Sequence, residues 1–211
     1  MAYVTCDISV SADGFAAGPG QTLERPFGDG EVEQLHRWMF ETRDENADEV
    51  AAITAVDAFI MGRNMFSPGR GDWDLAWRGW WGDDPPYHKP VFVLTHHERA
   101  DLPMQGGTTF SFVTGGVEEA FERARAAVST RGGKPNATPG SGDGLISIAG
   151  GASTVNQFLA AGLIDELRLH IAPVTLGAGE RVFDGVPGRR LEQVSARAAS
   201  LVTHVTYRGL R

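Results

Sequence analysis

The sequence predicts an α/β domain: a mostly parallel central sheet with an antiparallel C-terminal edge and helices on both faces. Three observations carry that prediction. Short apolar and β-branched runs recur along the chain, at 3–10, 58–61, 90–95, 110–113, 145–148 and 167–171. Helical patterns lie between several of them through the centre, the arrangement of strand–helix–strand units. Strand-type alternation returns at the end, over 201–208. The 211-residue length fits a single domain over 1–211, long enough to bury ~70% of its unfolded surface without a disulfide or metal.

Taken in order, the strand at 3–10 leads into a glycine- and proline-rich loop over 13–30. Loops this long in compact domains are usually functional or disordered. A helix is predicted over 31–43, because Val32, Leu35 and Met39 share a face and acidic residues crowd the first turn. A second helical stretch follows from Asp44 to Val56, then the buried strand Ala58-Phe59-Ile60-Met61. Residues 67–90 hold Trp73, Trp77, Trp80 and Trp81 among Gly, Asp and Pro and cannot be one regular element. After the strands at 90–95 and 110–113 comes a helix over 117–128, with Val117, Phe121, Ala124 and Val128 on one face. Segment 129–144 reads as a flexible connection. Strand 145–148 then passes through Gly150-Gly151 into a helix from Ser153 to Ala161, stopped by Gly162. In the last strand Leu201, Val205 and Tyr207 share one face, with His204 and Arg208 on the other.

Composition narrows the function. The formal charge of −8 argues against a surface devoted to nucleic acid, though not against a local basic pocket for phosphate. A lone cysteine, Cys6, excludes an intramolecular disulfide and a multi-thiolate zinc site. His96 and His97 are adjacent, so their side chains point apart on an extended chain, and no metal site is expected. No apolar stretch approaches the ~20 residues of a membrane span. The N-terminus lacks a basic region followed by an apolar run, which predicts a cytoplasmic protein and makes Asn136-Ala137-Thr138 a chance glycosylation match.

Ligands of parallel sheets bind outside the carboxyl ends of the strands, and three predicted strand ends carry suggestive residues. One reads Gly62-Arg63-Asn64, one Thr95-His96 with Arg99 nearby, and one Gly150-Gly151-Ala152-Ser153-Thr154. Paired glycines admit close backbone approach. A following helix offers unpaired N–H groups and the positive end of its dipole, so this end is either an anion cradle suited to a pyrophosphate or a tight turn capped by Ser153 or Thr154. Arg63 either pairs a phosphate bidentately or caps the sheet. Asp13, heading the first loop, either binds substrate and relays a proton or forms an Asx-type turn with Gly14. Trp38 and Trp73 are candidates for an aromatic wall over a flat heterocycle, against a role in a satellite core or interface.

Taken together, Met61-Gly62-Arg63, Val93-Leu94-Thr95-His96 and Ile148-Ala149-Gly150-Gly151 before a helix resemble the dihydrofolate reductase fold. The stretch 149–183, with Gly-Gly, a helix, Gly162-Leu163-Ile164-Asp165-Glu166-Leu167, a strand, Pro173 and Leu176-Gly177-Ala178-Gly179, resembles the reductase domain of riboflavin biosynthesis. Ser11-Ala12-Asp13-Gly14 is similar to that family's Ser-x-Asp-Gly. The resemblance implies an NADPH-dependent reductase of a small heterocycle, like the 5-amino-6-(5-phosphoribosylamino)uracil reductase. It places cofactor phosphates at Gly62, Arg63, Asn64, Thr95, His96 and the segment Gly150, Gly151, Ala152, Ser153 and Thr154. It also implies a cis Gly150-Gly151 peptide and a homodimer. Two other readings stand beside it: a dihydrofolate reductase, and a nucleotide-binding protein without catalysis. The chain departs from dihydrofolate reductases in having Met65 where a Thr usually follows the Arg, and no Cys-x-x-Cys of the partner deaminase is present.

Overall fold

The computed structural model describes residues 2–130 and 144–210. The predicted connection over 129–144, with Asn136-Ala137-Thr138, lies outside the described residues except at its ends. Strands β1 (Tyr3–Ser11), β3 (Ala58–Gly62), β4 (Pro90–Leu94), β6 (Thr109–Val113), β7 (Leu145–Gly150) and β8 (Glu166–Ala172) run parallel. Strand β11 (Val202–Arg208) adds antiparallel to β8, and β10 (Glu192–Ala199) to β11. A two-residue β5 (Leu102–Pro103) closes the other edge, giving a nine-stranded sheet in the order β10-β11-β8-β1-β7-β3-β4-β6-β5. A separate ribbon joins β2 (Phe15–Ala17) to β9 (Glu180–Arg181). The predicted class, a mostly parallel sheet with an antiparallel C-terminal edge, is the observed one.

The alternation along each central strand feeds two cores. Val4, Cys6, Ile8, Ile60, Phe92, Ile146 and Ile148 face α4 (Gly116–Thr130) and α5 (Ala152–Ala160), which contribute Val117, Ala124, Val128, Val155 and Phe158. Phe59, Met61, Val91, Val93, Phe110 and Phe112 point to the other side. There they meet α3 (Arg63–Phe66) through Phe66, and Trp73, Trp77 and Trp81 pack against them. No helix among the described residues is long and apolar enough to cross a membrane.

The helix predicted over 31–43 is instead a 3-10 turn at Val32–Leu35 followed by the single-turn α1 (Arg37–Phe40), broken at His36 with φ −117°. The buried residues are Val32, Leu35 and Trp38, spaced by three. That period suits a 3-10 turn, in which i and i+3 eclipse, rather than the 3.6 of an α-helix. The next stretch is helical only over α2 (Ala47–Thr54).

Val202, His204 and Val205 of β11 are buried, so its predicted polar face is not wholly turned to solvent. His204 lies buried beside His170 of β8, and the two share an Nδ1–Nδ1 hydrogen bond of 2.7 Å. His204 Nε2 meets Asn46 Oδ1 at 2.9 Å, and His170 Nε2 stands 3.4 Å from the buried Asp7 carboxylate. Burial, reinforced by the neighbouring His170, lowers the pKa of His204 to about 4, and His36 is lowered to about 4 for the same reasons. An unfolded histidine titrates near ~6.5. Between those values the unfolded chain binds more protons than the folded one, so stability falls as pH drops from about 6.5 toward about 4. The urea midpoint is therefore expected to be lower at pH ~5 than at pH ~7.5. A His204→Gln variant should show a smaller loss over the same window.

Candidate active site

The register of β3, β4 and β7 brings three of the predicted strand ends level: Met61 pairs with Gly150, and Gly62 with Leu94. Gly62 is pressed against the first turn of α5, so closely that a Cβ there would stand 2.3 Å from Thr154 Oγ1. Only glycine fits that contact. Thr154 is correspondingly buried. The Gly150–Gly151 peptide is cis, as the resemblance implied. Gly151 caps α5 with no side-chain hydrogen bond, and a Cβ on it would meet nothing within 4 Å. The helix thus begins with unpaired N–H groups beside open space. Met65, in place of the usual Thr, lies over Gly150, its sulfur 3.6 Å from where a Cβ would be.

Arg63 opens α3 beside this space. Its guanidinium stacks on Trp73, 4.0 Å from the ring centroid. Its Nε is buried and lacks a hydrogen-bond partner, and Arg63 makes no ion pair among the described residues. Burial first, and then the like charge of Arg70, lower its pKa, with Asp72 opposing them. A buried guanidinium donor without an acceptor is costly. A phosphate pairing with the terminal nitrogens of the guanidinium, for which no hydrogen bond is seen among the described residues, would offset that cost.

The other predicted residues divide. Thr95 is buried with its hydroxyl turned into its own turn, accepting from His97 N–H at 3.1 Å. His96 is exposed, and Asn64 Oδ1 accepts from Arg70 at 3.2 Å. Ala152 is buried, leaving only its backbone to face a ligand, whereas exposed Ser153 lines an open cleft of about 450 Å³ between α5 and residues 179–185. Arg99 is not free to meet a phosphate: its Nη2 donates to the carbonyl of Trp77 at 2.6 Å.

Three candidate roles change. Trp38 has no solvent-exposed surface; its Nε1 donates to Ser9 at 3.0 Å and its ring packs on His170 and His204, so it belongs to the core and not to a substrate wall. Trp73 donates Nε1–H to the His97 carbonyl at 2.8 Å and packs edge-on to Phe66 and Phe112. With Trp77 and Trp81 it forms a satellite core over β3, β4 and β6. Asp13 accepts from Ser11 Oγ at 2.5 Å and from the N–H groups of Gly177 and Leu176 at 2.8 and 3.1 Å. Those bonds, Ser11 foremost, lower its pKa to about 2. In the free protein this carboxylate is ionised and ties the end of β1 to the 176–177 turn.

Sequence reasoning did not single out Arg70 or Asn156. Nothing in the local sequence marks Arg70. Asn156 carried a readable signal, a polar residue on the inward face of α5 beside Val155; its amide clamps residues 181–183 through Arg181 O and Phe183 N.

The RibD C-terminal domain family matches this sequence over residues 2–130 and 140–205. The chain belongs to that family. Within the RibD C-terminal domain fold it is 26% identical over 212 residues to the uncharacterized protein YyaP of Bacillus subtilis (strain 168), covering 97% of this chain and 93% of YyaP. A putative riboflavin biosynthesis protein from Shewanella sp. PV-4 superposes with a TM-score of 0.63 at 24% identity, covering 99% of this chain and 98% of its own. Dihydrofolate reductase from Enterococcus faecalis, solved with NADP(H) and RAB-propyl, superposes with a TM-score of 0.52 at 15% identity, covering 98% and 95%. The sheet is thus of the dihydrofolate reductase type, and membership of the RibD C-terminal domain family supports an oxidoreductase of riboflavin-pathway type.

Proposed function

We propose that this RibD C-terminal domain is an NADPH-dependent reductase of a small heterocycle resembling a phosphoribosylaminouracil. The observation that carries the proposal is the buried, unpartnered Nε of Arg63 beside a strand-to-helix turn where Gly151 leaves open space. The residues present fit a dinucleotide phosphate: a cation with no ion pair among the described residues, paired glycines, and the unpaired N–H groups that open α5. The Enterococcus dihydrofolate reductase of the same fold holds NADP(H), which favours a nicotinamide here.

A reduced nicotinamide, when bound, supplies the hydride. Arg63 would bind a phosphate, and Gly62, by letting Thr154 sit against the end of β3, holds α5 at the height that aims its first N–H groups at it. Asp13 keeps the 176–177 turn against the end of β1 and so fixes one wall of the substrate side. We assign the proton to water, because the Asp13 carboxylate is already engaged by Ser11 and by the N–H groups of Leu176 and Gly177.

Calorimetric titration with NADPH and NADH tests the proposal, and tighter binding of NADPH is expected. No binding of either up to millimolar concentration would overturn it. Arg63→Ala should weaken NADPH by ~1.5–3 kcal/mol, the range for a hydrogen bond to a charged group; an effect confined to thermal stability would return Arg63 to a structural role. Turnover on dihydrofolate, with none on a ribosylaminouracil, would replace the substrate class with a pterin.

A further inference from the structure

We infer that Trp73 is a positioning residue for the phosphate site, acting through Arg63, and that the tryptophan-rich segment serves to hold that arginine ready for an anion. This rests on the reading of the site as a cofactor slot. Arg63 has a long side chain with no ion pair among the described residues, and such a chain ordinarily samples many rotamers. What fixes it is the indole face of Trp73, 4.0 Å from the guanidinium carbon. The indole is itself fixed from both ends. Its Nε1 donates to the His97 carbonyl at 2.8 Å, which ties the segment to the end of β4, and its edge packs on Phe66 and Phe112. Arg99 then holds the next turn, reaching the carbonyls of Trp77 at 2.6 Å and Leu75 at 3.4 Å.

The charges around Arg63 make the contact consequential. Arg70 repels it, and Asp72, the neighbour of Trp73, stands 3.5 Å from His97 instead of pairing with the guanidinium. Without the indole, Arg63 would be free to swing toward Asp72 and satisfy itself there. The aromatic face holds the cation by its quadrupole while leaving the guanidinium donors unused. Trp73 therefore keeps the anion site open by stabilising the arginine without neutralising it.

A double-mutant cycle on the full chain, read by NADPH titration in the calorimeter, tests this. Trp73→Ala is expected to weaken NADPH by ~10-fold, within the range of a partly buried cation–π contact, and Trp73→Phe to retain affinity within ~3-fold. In an Arg63→Ala background, Trp73→Ala should cost nothing further. A residue that merely supports the loop would give losses that add. Trp73→Leu, which keeps apolar packing on Phe66 and Phe112 but removes the π face, carries the test if the alanine variant fails to fold. Unchanged affinity in the alanine and leucine variants, or additive losses with Arg63→Ala, would overturn the inference while the cofactor reading stands. Failure of the wild-type chain to bind NADPH would overturn both.

Discussion

Gly151→Val is expected to cripple NADPH binding while leaving the fold as stable as before. The backbone at Gly151, φ −75° and ψ −172°, is extended geometry that any residue adopts, and a Cβ there meets nothing within 4 Å. The Cβ of the substitution therefore adds no clash to the free protein. It does place an isopropyl group in the space beside the first N–H groups of α5, where close backbone approach is needed. Overpacking a formed site costs ~1–3 kcal/mol, so affinity should fall roughly 5- to 150-fold. Calorimetry gives the affinity and a thermal melt the stability. A variant that binds as the wild type does would move the ligand away from this turn.

Trp38→Ala should be the most damaging single change to stability, at about 3–5 kcal/mol for emptying a large aromatic site. Trp38 is fully buried, and its loss would remove the Nε1 hydrogen bond to Ser9 as well as the ring packed between His170 and His204. Those imidazoles belong to a polar row in which Asp7 Oδ1 and His170 Nε2 already lack good partners. Water admitted to the cavity would meet them. Urea unfolding at pH ~7.5 measures the loss, well above the window in which His204 titrates. A Trp38 that lined the substrate instead would raise KM and leave the urea midpoint unmoved.

The contrast between these two positions shows what could be read before the fold was known. The central strands are legible as continuous apolar runs because each is buried on both sides by different cores, as with Phe59 and Met61 against Ala58 and Ile60. Gly62, Arg63 and Gly150-Gly151 were legible because their chemistry is local to a strand end. Trp38 was not: its partners Ser9, His170 and His204 lie on other strands, and a tryptophan near a loop looks the same whether it faces ligand or core. Two of the three donors to Asp13 were hidden for a similar reason, since they are N–H groups of residues 176 and 177. Strand β10 escaped notice because its alternating apolar set, Val194, Ala196 and Ala198, is made mostly of alanine and nearly all of the strand is exposed.

The contact between Gly62 and Thr154 joins two positions ninety-two residues apart into one unit of inheritance. A Cβ at 62 would collide with the Thr154 hydroxyl where it stands. Residue 62 cannot gain a side chain while that hydroxyl keeps its place. A lineage could exchange the pair only by losing that hydroxyl or turning it away first, as alanine at 154 would do, leaving the gap that a methyl group at 62 then fills.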